Sequence, residues 1–452
     1  MISQKLSIIQ PQFLDKVTSN GFVLFLLIGF HIGLGVMNTS VYLLSTYVAY
    51  ATIGITFVLA FLSNRNLMYA AAYVSGAEIY WRMTQADIFW ESGKYTIAFA
   101  FLIALSSRKS IKIPPFSFLF FIALIPAFLG IGSNFSISTL RDQVSFYGSG
   151  PATLFIASVY FFQIKLNRQD LVKMLFAYIL PLLTIATYAL LGILSTDVVW
   201  VDASNFSASG GFGPNQVSTV LGLGMLSTVF LVLLTEIPKH QKIVIALIGL
   251  WLTIQTLFTF SRGGFYAAVA SGVVFGVLLF RKSPRLLLPI LFWSTLFFGI
   301  LMYLIIPQLD KTTDNQLSGR LQDTSSTGRI EVATAEIQAF IDNPLGGGAG
   351  SANAIRGKSI QHSSLASHNE YTRLLAEHGI LGFFALLCLM GGLYVNFRNF
   401  EHSLIIQAIM GALITWALLT LGHSAFRIAA PAYAIGLTFA SYEDREEVTE
   451  AD

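Results

Sequence analysis

Two arginines and one histidine have the chemistry that a site for a phosphate-bearing substrate would need. Arg262 lies in FSRGGF between two apolar runs, Arg329 opens an amphipathic helix, and His368 follows Ser367 at another helix start. A guanidinium offers a fork of donors that matches phosphate oxygens. A cation in the first helical turn opposes the macrodipole unless a bound anion shares that helix end. The same positive end favours a neutral imidazole, which can accept a proton near neutral pH.

Each of these residues also has a simpler interpretation. Arg262 could extend its side chain to the membrane surface, Arg329 could pair with Glu331, and His368 could be an ordinary surface histidine. All three are predicted to lie on the same side of a membrane, which favours a common site for a phosphate-bearing substrate. A metal centre is disfavoured, because His362, His368 and His378 share no helical face and no cysteine lies near them.

The composition predicts an all-α, polytopic membrane protein. Of the 452 residues, 54% are hydrophobic and 11% are charged, whereas soluble domains carry about 25% charged residues. The apolar runs are about 17–22 residues long, the length of a membrane-spanning helix. We count fourteen spans, in an expected range of about 12–14. They begin near Gly21, Tyr42, Leu67, Tyr95, Phe116, Pro151, Leu175, Val217, Ile243, Gly263, Leu286, Gly379, Ser403 and Ile428.

The basic clusters predict the orientation of the chain. Both termini are expected in the cytoplasm, because that arrangement places most lysines and arginines of the short loops inside. A single membrane domain over residues 1–452 is expected, with a long external loop at 307–378 and a disordered cytoplasmic tail at 442–452. Cys388 is the one cysteine, so no intramolecular disulfide can form. A net charge of +3 is too small to indicate nucleic-acid binding.

The sequence of the expected external loop predicts an amphipathic helix, a glycine-rich turn and the start of a second helix. Apolar residues recur at helical spacing over 328–341, which predicts an amphipathic helix on the outer membrane surface or on the mouth of the helix bundle. Asn343-Pro344 ends this helix, and NPLGGGAGS forms a turn with positive φ angles. Ser367 and Glu370 match a capping box, which places His368 at the first helical position. That second helix continues into the next span.

Other buried ionisable residues have no role that the sequence assigns. Glu78 lies inside the third span and therefore requires a partner, which the sequence does not name. His31, His423 and Arg427 are interpreted as packing residues of the bundle. The roles of Arg141 and Arg427 stay open.

These motifs resemble those of a known family. TGRIEVATAEIQAFIDNPLGGGAG followed by SHNEYTRLLAEHGILG is similar to the signature region of the bacterial O-antigen ligase and polymerase family. FSRGGF and the GGFGPNQ turn also resemble elements of that family. The resemblance extends over residues 205–385, and elsewhere it rests on the many-span topology.

The resemblance implies a membrane glycosyltransferase of the GT-C type in the bacterial inner membrane, with its site facing the periplasm. The donor would be a glycan on undecaprenyl pyrophosphate, and the acceptor a hydroxyl of the lipid A core or of a growing chain. No cofactor and no metal are implied. By position, His368 would be the base, and Arg262 and Arg329 would bind pyrophosphate. Supporting or donor-positioning roles would fall to Asn215, Gly263, Gly264, Asn369, Glu370 and Tyr371.

Three alternatives remain at this point. Fourteen spans exceed the usual twelve of a ligase, so ligase, polymerase and relatives acting on other surface polysaccharides all stay open. A transporter or flippase for lipid-linked oligosaccharides would also need many spans, but its basic residues should line a path through the membrane. A structural scaffold would leave the histidine and the glycine-rich turn unexplained.

Overall fold

The computed structural model describes residues 21–129, 137–201, 203–235, 237–282, 287–323, 328–352, 369–400, 403–423 and 425–443. Within these ranges nearly all regular structure is helical, which confirms the predicted all-α class. The helices are α1 (Gly21–Asn38), α2 (Leu44–Leu62), α3 (Asn64–Met83), α4 (Ser92–Ser106), α5 (Pro115–Leu124), α6 (Pro126–Leu129), α7 (Ile137–Phe162), α8 (Arg168–Ser195), α9 (Pro214–Leu234), α10 (Lys239–Phe258), α11 (Arg262–Lys282), α12 (Leu287–Ile300), α13 (Ile306–Thr312), α14 (Gln316–Gln322), α15 (Arg329–Asp342), α16 (Glu370–Asn399), α17 (Leu404–Leu421) and α18 (Ala429–Leu437).

Three short non-α segments and one strand pair complete this description. Ser207–Ser209 and Ala425–Arg427 form single 3₁₀ turns, and Leu301–Ile305 forms a π-helical turn between α12 and α13. The two-residue strands β1 (Lys165–Leu166) and β2 (Ser441–Tyr442) pair with each other.

Helix length and apolarity fit a multi-pass membrane protein. Among the described residues, seven helices are long and apolar enough to cross a bilayer: α2, α8, α9, α10, α11, α16 and α17. Shorter apolar helices lie at Gly21–Met37, Ser92–Ser106 and Pro115–Leu129. Each of the fourteen predicted span starts falls in or beside one of the helices. The number of crossings stays a prediction.

The chain forms two compact units. Of the described residues, those within 21–107 and 166–268 form the first unit, and those within 108–165 and 269–443 form the second. Helix α11 begins in the first unit and continues into the second. The expected single membrane domain stays a prediction, as does the loop at 307–378.

In the first unit, α8 is the central helix and packs against α1, α3 and α9. Small residues permit the close approach of these helices. A Cβ atom on Gly35 would lie 2.6 Å from Thr187 Cβ, and one on Gly76 would lie 2.9 Å from the carbonyl oxygen of Tyr178. Such contacts through glycine are typical of helices that associate in a membrane, where apolar surface alone provides no driving force.

In the second unit, α16 packs against α5 and α15, and α18 packs against α7. Gly436 again allows close contact, since its Cβ would lie 2.5 Å from Ala157 Cβ. Near the strand pair, the Ser441 amide donates to the carbonyl oxygen of Ile164 at 3.1 Å. The long α16 thus lies against α5 and α15, and α18 lies against α7.

The helix predicted over residues 328–341 is confirmed as α15. It runs from Arg329 to Asp342 and ends at Asn343, before Pro344. The predicted glycine turn is confirmed too, because Gly346, Gly348 and Gly350 have φ angles of 86°, 89° and 84°. Gly328 precedes the helix with a φ of 77°.

Candidate functional site

The glycine turn in the second unit packs onto a break in α16. Gly379 interrupts this helix with φ 59° and ψ −138°. Turn amides satisfy the carbonyls near the break: Gly347 donates to Ala376 O and Gly348 to Glu377 O, both at 2.9 Å. A Cβ on Gly379 would lie 2.2 Å from Pro344 O. Glycine is therefore required at this crossing, both for the backbone conformation and for the space.

The start of α16 differs from the prediction. The prediction that His368 is the first helical residue is wrong, because α16 begins two residues later, at Glu370. Asn369 is the cap, and its side-chain oxygen accepts from the Tyr371 amide at 3.0 Å. Serine and asparagine are both good capping residues, so the sequence alone did not choose between Ser367 and Asn369. Ser367 and His368 lie outside the described residues.

A buried charge cluster, here called the Arg373 cluster, stabilises this helix start. It consists of Glu370, Arg373 and Glu377, which are spaced one helical turn apart. Arg373 donates to both carboxylates, with an Nη1–Oε2 distance of 2.6 Å to Glu377 and an Nε–Oε2 distance of 3.2 Å to Glu370. Its guanidinium also lies 5.3 Å from the ring centre of Tyr147 on α7. The carboxylate of Glu370 therefore pairs with Arg373, whereas the sequence predicted a capping box with Ser367.

A second buried contact joins α15 to α16. The Thr372 hydroxyl donates to Glu336 Oε2 at 2.6 Å. Glu336 is fully buried, although its helix lies in the segment predicted to be an external loop. Hydrogen bonds to a charged acceptor are among the stronger ones in proteins, contributing about 1.5–3 kcal/mol. This bond therefore fixes the helix that carries Arg329 against the first turn of α16.

Arg329 is the first residue of α15 and is half-buried. Its positive charge acts on His423, which follows α17 in the same unit. Burial, and after it the charge of Arg329, lower the pKa of His423 to about 4, against an opposing hydrogen bond to Leu419 O. Tyr371 anchors the other side of this region, since its hydroxyl donates to Leu418 O at 2.6 Å. The starts of α15 and α16 and the end of α17 are thus close together.

In the first unit, the two motifs FSRGGF and GGFGPNQ lie side by side. Ser261 Oγ donates to Asn215 Oδ1 at 2.7 Å, and Ser218 Oγ donates to Ser261 Oγ at 3.0 Å. A Cβ on Gly264 would lie 2.2 Å from the backbone of Ser218. Gly264 therefore allows α11 to pack closely on α9.

Arg262 begins α11 at this junction. It is half-buried, as is Gly263, and Asn215 is buried. Arg262 and Arg329 therefore share one feature, since each is the first residue of a helix. Arg262 belongs to the first unit and Arg329 to the second. That these two arginines and His368 form one site stays a prediction.

Glu78 has the partner that the sequence did not name. Its Oε1 accepts from Arg82 at 2.7 Å, Arg82 also contacts Glu91 at 3.2 Å, and Lys94 contacts Glu91 at 2.5 Å. We call these four buried residues the Glu78 quartet. The guanidinium of Arg82 lies 5.0 Å from the ring centre of Trp90. The i, i+4 spacing of Glu78 and Arg82 was an available signal for the first of these pairs.

Sequence reasoning missed most of the charged residues around the helix starts. Glu370, Arg373 and Glu377 have the i, i+3 and i, i+4 spacing of ion pairs, which was a usable signal. The Glu336–Thr372 bond had no such signal, because its members lie 36 positions apart on different helices. The influence of Arg329 on His423 likewise depends on tertiary packing.

The fold defines a polytopic helical membrane protein, with polar and charged residues at the starts of α11, α15 and α16. The model of a protein family described as O-antigen ligase matches residues 245–387. This match confirms the resemblance to the O-antigen ligase and polymerase family and supports a glycosyltransferase-type enzyme. The matched segment includes Arg262, Arg329 and His368. No curated protein matches the chain.

Proposed function

We propose that the protein transfers a glycan from undecaprenyl pyrophosphate to an acceptor hydroxyl on the periplasmic face of the bacterial inner membrane. The acceptor is a sugar of the lipid A core or the end of a growing repeat-unit chain. The observation that carries the proposal is that both candidate arginines open helices within the segment matched by the O-antigen ligase family.

The arginines bind the pyrophosphate of the donor. Each guanidinium adds to the partial positive charge of the helix start on which it stands, so the two helix ends favour an anion. As the glycosidic bond breaks, negative charge grows on the leaving pyrophosphate. Cations held at that position therefore stabilise the transition state more than the ground state.

The transfer is a single displacement with inversion. The acceptor oxygen attacks the anomeric carbon while the bond from that carbon to the pyrophosphate oxygen breaks, and the lipid pyrophosphate leaves with the electron pair. The proton of the acceptor hydroxyl passes to His368, which acts as general base. Asn369 caps α16 and Tyr371 anchors it, so both support the start of the helix that follows His368.

The direct test is glycan transfer by purified variants with a lipid-pyrophosphate donor. His368→Ala should abolish transfer while the protein stays folded. Arg262→Ala and Arg329→Ala should each weaken donor use by about tenfold or more, because a charge-assisted bond contributes about 1.5–3 kcal/mol. Lys239→Ala is the matched control, since it removes an exposed cation from the start of another helix, α10, on the predicted cytoplasmic side. Normal turnover in a variant would remove that residue from the mechanism.

The acceptor is identified by the surface glycolipids of a deletion strain. Loss of all glycan from the core indicates a ligase, and core capped with one repeat unit indicates a polymerase. An unchanged ladder would exclude both of these activities and direct the search to another surface polysaccharide.

A further inference from the structure

Helix α15 has an exposed apolar face. With about 100° of rotation per residue, Ile330, Ile337 and Ile341 lie within about 20° of one line along the helix. These side chains are 67%, 42% and 61% exposed. Three isoleucines along one face are unfavourable in water, because each leaves apolar surface hydrated.

The buried face of the same helix carries one apolar side chain, Val332, and the carboxylate of Glu336. Glu336 projects about 120° away from the isoleucine line, is fully buried and accepts the hydrogen bond from Thr372. A helix that packs on a protein from water places its isoleucines inward and its carboxylates outward. In α15 all three isoleucines point outward while Glu336 points inward, an arrangement that favours apolar surroundings for the isoleucine face.

A third face is exposed and polar. Glu331, Gln338 and Asp342 lie about 100° from the isoleucine line, on the side away from Glu336. All three are exposed, and Gln338 donates to Asp342 at 2.8 Å. Two exposed faces of opposite polarity, side by side on one helix, match a helix at the boundary between hydrocarbon and water.

The isoleucine face continues onto a candidate membrane span. Leu345, just after α15, is 83% exposed. The adjacent Pro344 accepts a hydrogen bond from the Ile380 amide at 2.8 Å, which joins this surface to α16. From Ile380 onward α16 exposes apolar side chains, Phe384 among them, and α16 is long and apolar enough to cross a bilayer. The apolar surface of α15 is thus continuous with that of a span.

We propose that α15 is an interfacial helix whose isoleucine face lies in the acyl chains of the outer leaflet. Its polar face meets periplasmic water, and Glu336 holds it on α16. Arg329, about 100° from the isoleucines and on the protein side, then stands at the depth of the lipid phosphates. This last consequence rests on the proposed function, because it places Arg329 where a lipid-bound pyrophosphate would lie.

The test measures depth with single cysteines in a Cys388→Ala background, which otherwise has no cysteine. An environment-sensitive fluorophore is attached at Ile337→Cys, Ile341→Cys or Gln338→Cys in protein reconstituted into phosphatidylethanolamine–phosphatidylglycerol vesicles. At positions 337 and 341 we expect blue-shifted emission, strong quenching by lipids carrying a nitroxide on the acyl chain, and little quenching by aqueous cobalt. At position 338, aqueous cobalt should quench the emission strongly and the nitroxide lipids only weakly.

Phe384→Cys provides the matched lipid-facing control on the span. Quenching by cobalt at 337 and 341 as strong as at 338 would overturn the proposal, because it would place the isoleucines in water. Protection from both quenchers would overturn it too, since a protein surface would then cover them. The measurement uses no glycan donor, so its outcome is independent of whether the variants transfer glycan.

Discussion

The two buried charge clusters of this protein are built differently. The Glu78 quartet has two carboxylates and two cations, and Arg82 and Lys94 both contact Glu91. In the Arg373 cluster one guanidinium bridges two carboxylates of its own helix. Removal of one cation therefore has unequal consequences. The quartet retains a second cation in contact with a carboxylate. In the other cluster, removal of Arg373 leaves both Glu370 and Glu377 without the cation that they share.

The difference teaches what each cluster supports. The Glu78 quartet lies within seventeen consecutive positions and joins α3 to α4. The Arg373 cluster surrounds Thr372, whose bond to Glu336 holds α15 and therefore Arg329. We infer that the quartet stabilises the fold of the first unit and that the Arg373 cluster stabilises the candidate site of the second.

The largest effect is expected for Arg373→Met, which leaves Glu370 and Glu377 buried without the cation between them. Loss of one partner from a buried ion pair costs about 3–5 kcal/mol. We expect a large fall in the thermal midpoint in detergent, with Arg373→Lys recovering part of it. An unchanged midpoint would contradict the importance of this arginine.

His423 makes stability in the second unit depend on pH. Its pKa is about 4 in the folded protein, below the ordinary 6.5. The unfolded state therefore binds the proton first as pH falls, and stability present above pH 6.5 is lost between pH 6.5 and about 4. The loss is on the order of 3 kcal/mol. Thermal unfolding of His423→Gln should show a smaller dependence over this range, whereas a profile identical to that of the parent would contradict the assignment.

A smaller effect is expected for Lys94→Met in the quartet. Arg82 still contacts both Glu78 and Glu91 in this variant, so the loss is that of one charged hydrogen bond, about 1.5–3 kcal/mol. The thermal midpoint should fall less than in Arg373→Met, measured side by side. A greater fall would invert the comparison between the clusters.

A loss of stability of about 1.5–3 kcal/mol, no larger than that of Lys94→Met, is expected for Thr372→Val, which removes one hydroxyl donor from the buried carboxylate of Glu336. We expect the variant to affect function by shifting the position of Arg329, because the Thr372–Glu336 bond holds the helix that begins at Arg329. We therefore expect weaker binding of undecaprenyl pyrophosphate by Thr372→Val, with no further loss when the variant is combined with Arg329→Ala. Thr372→Ser, which keeps the hydroxyl, is the control. Additive losses in the double variant would show that Thr372 does not act through Arg329.

Local features of the structure were predictable because they depend on near neighbours in the chain. The bounds of α15 follow from apolar spacing and from Asn343-Pro344, and the positive φ angles of the turn follow from its glycines. The start of α16 was misplaced, because two capping residues, Ser367 and Asn369, lie only two positions apart, and because the carboxylate of Glu370 has Arg373 as its partner.

The sequence by itself determined the membrane class, the positions of the apolar helices, the family resemblance and the residues proposed for chemistry. These depend on composition, periodicity and short motifs, which are local properties. Only the tertiary structure decided that Glu336 is buried while the isoleucines of α15 are exposed, and that Asn215 contacts Ser261. A helical pattern gives the angle between side chains, but the direction in which each face points is set by the neighbouring helices and by the solvent around them.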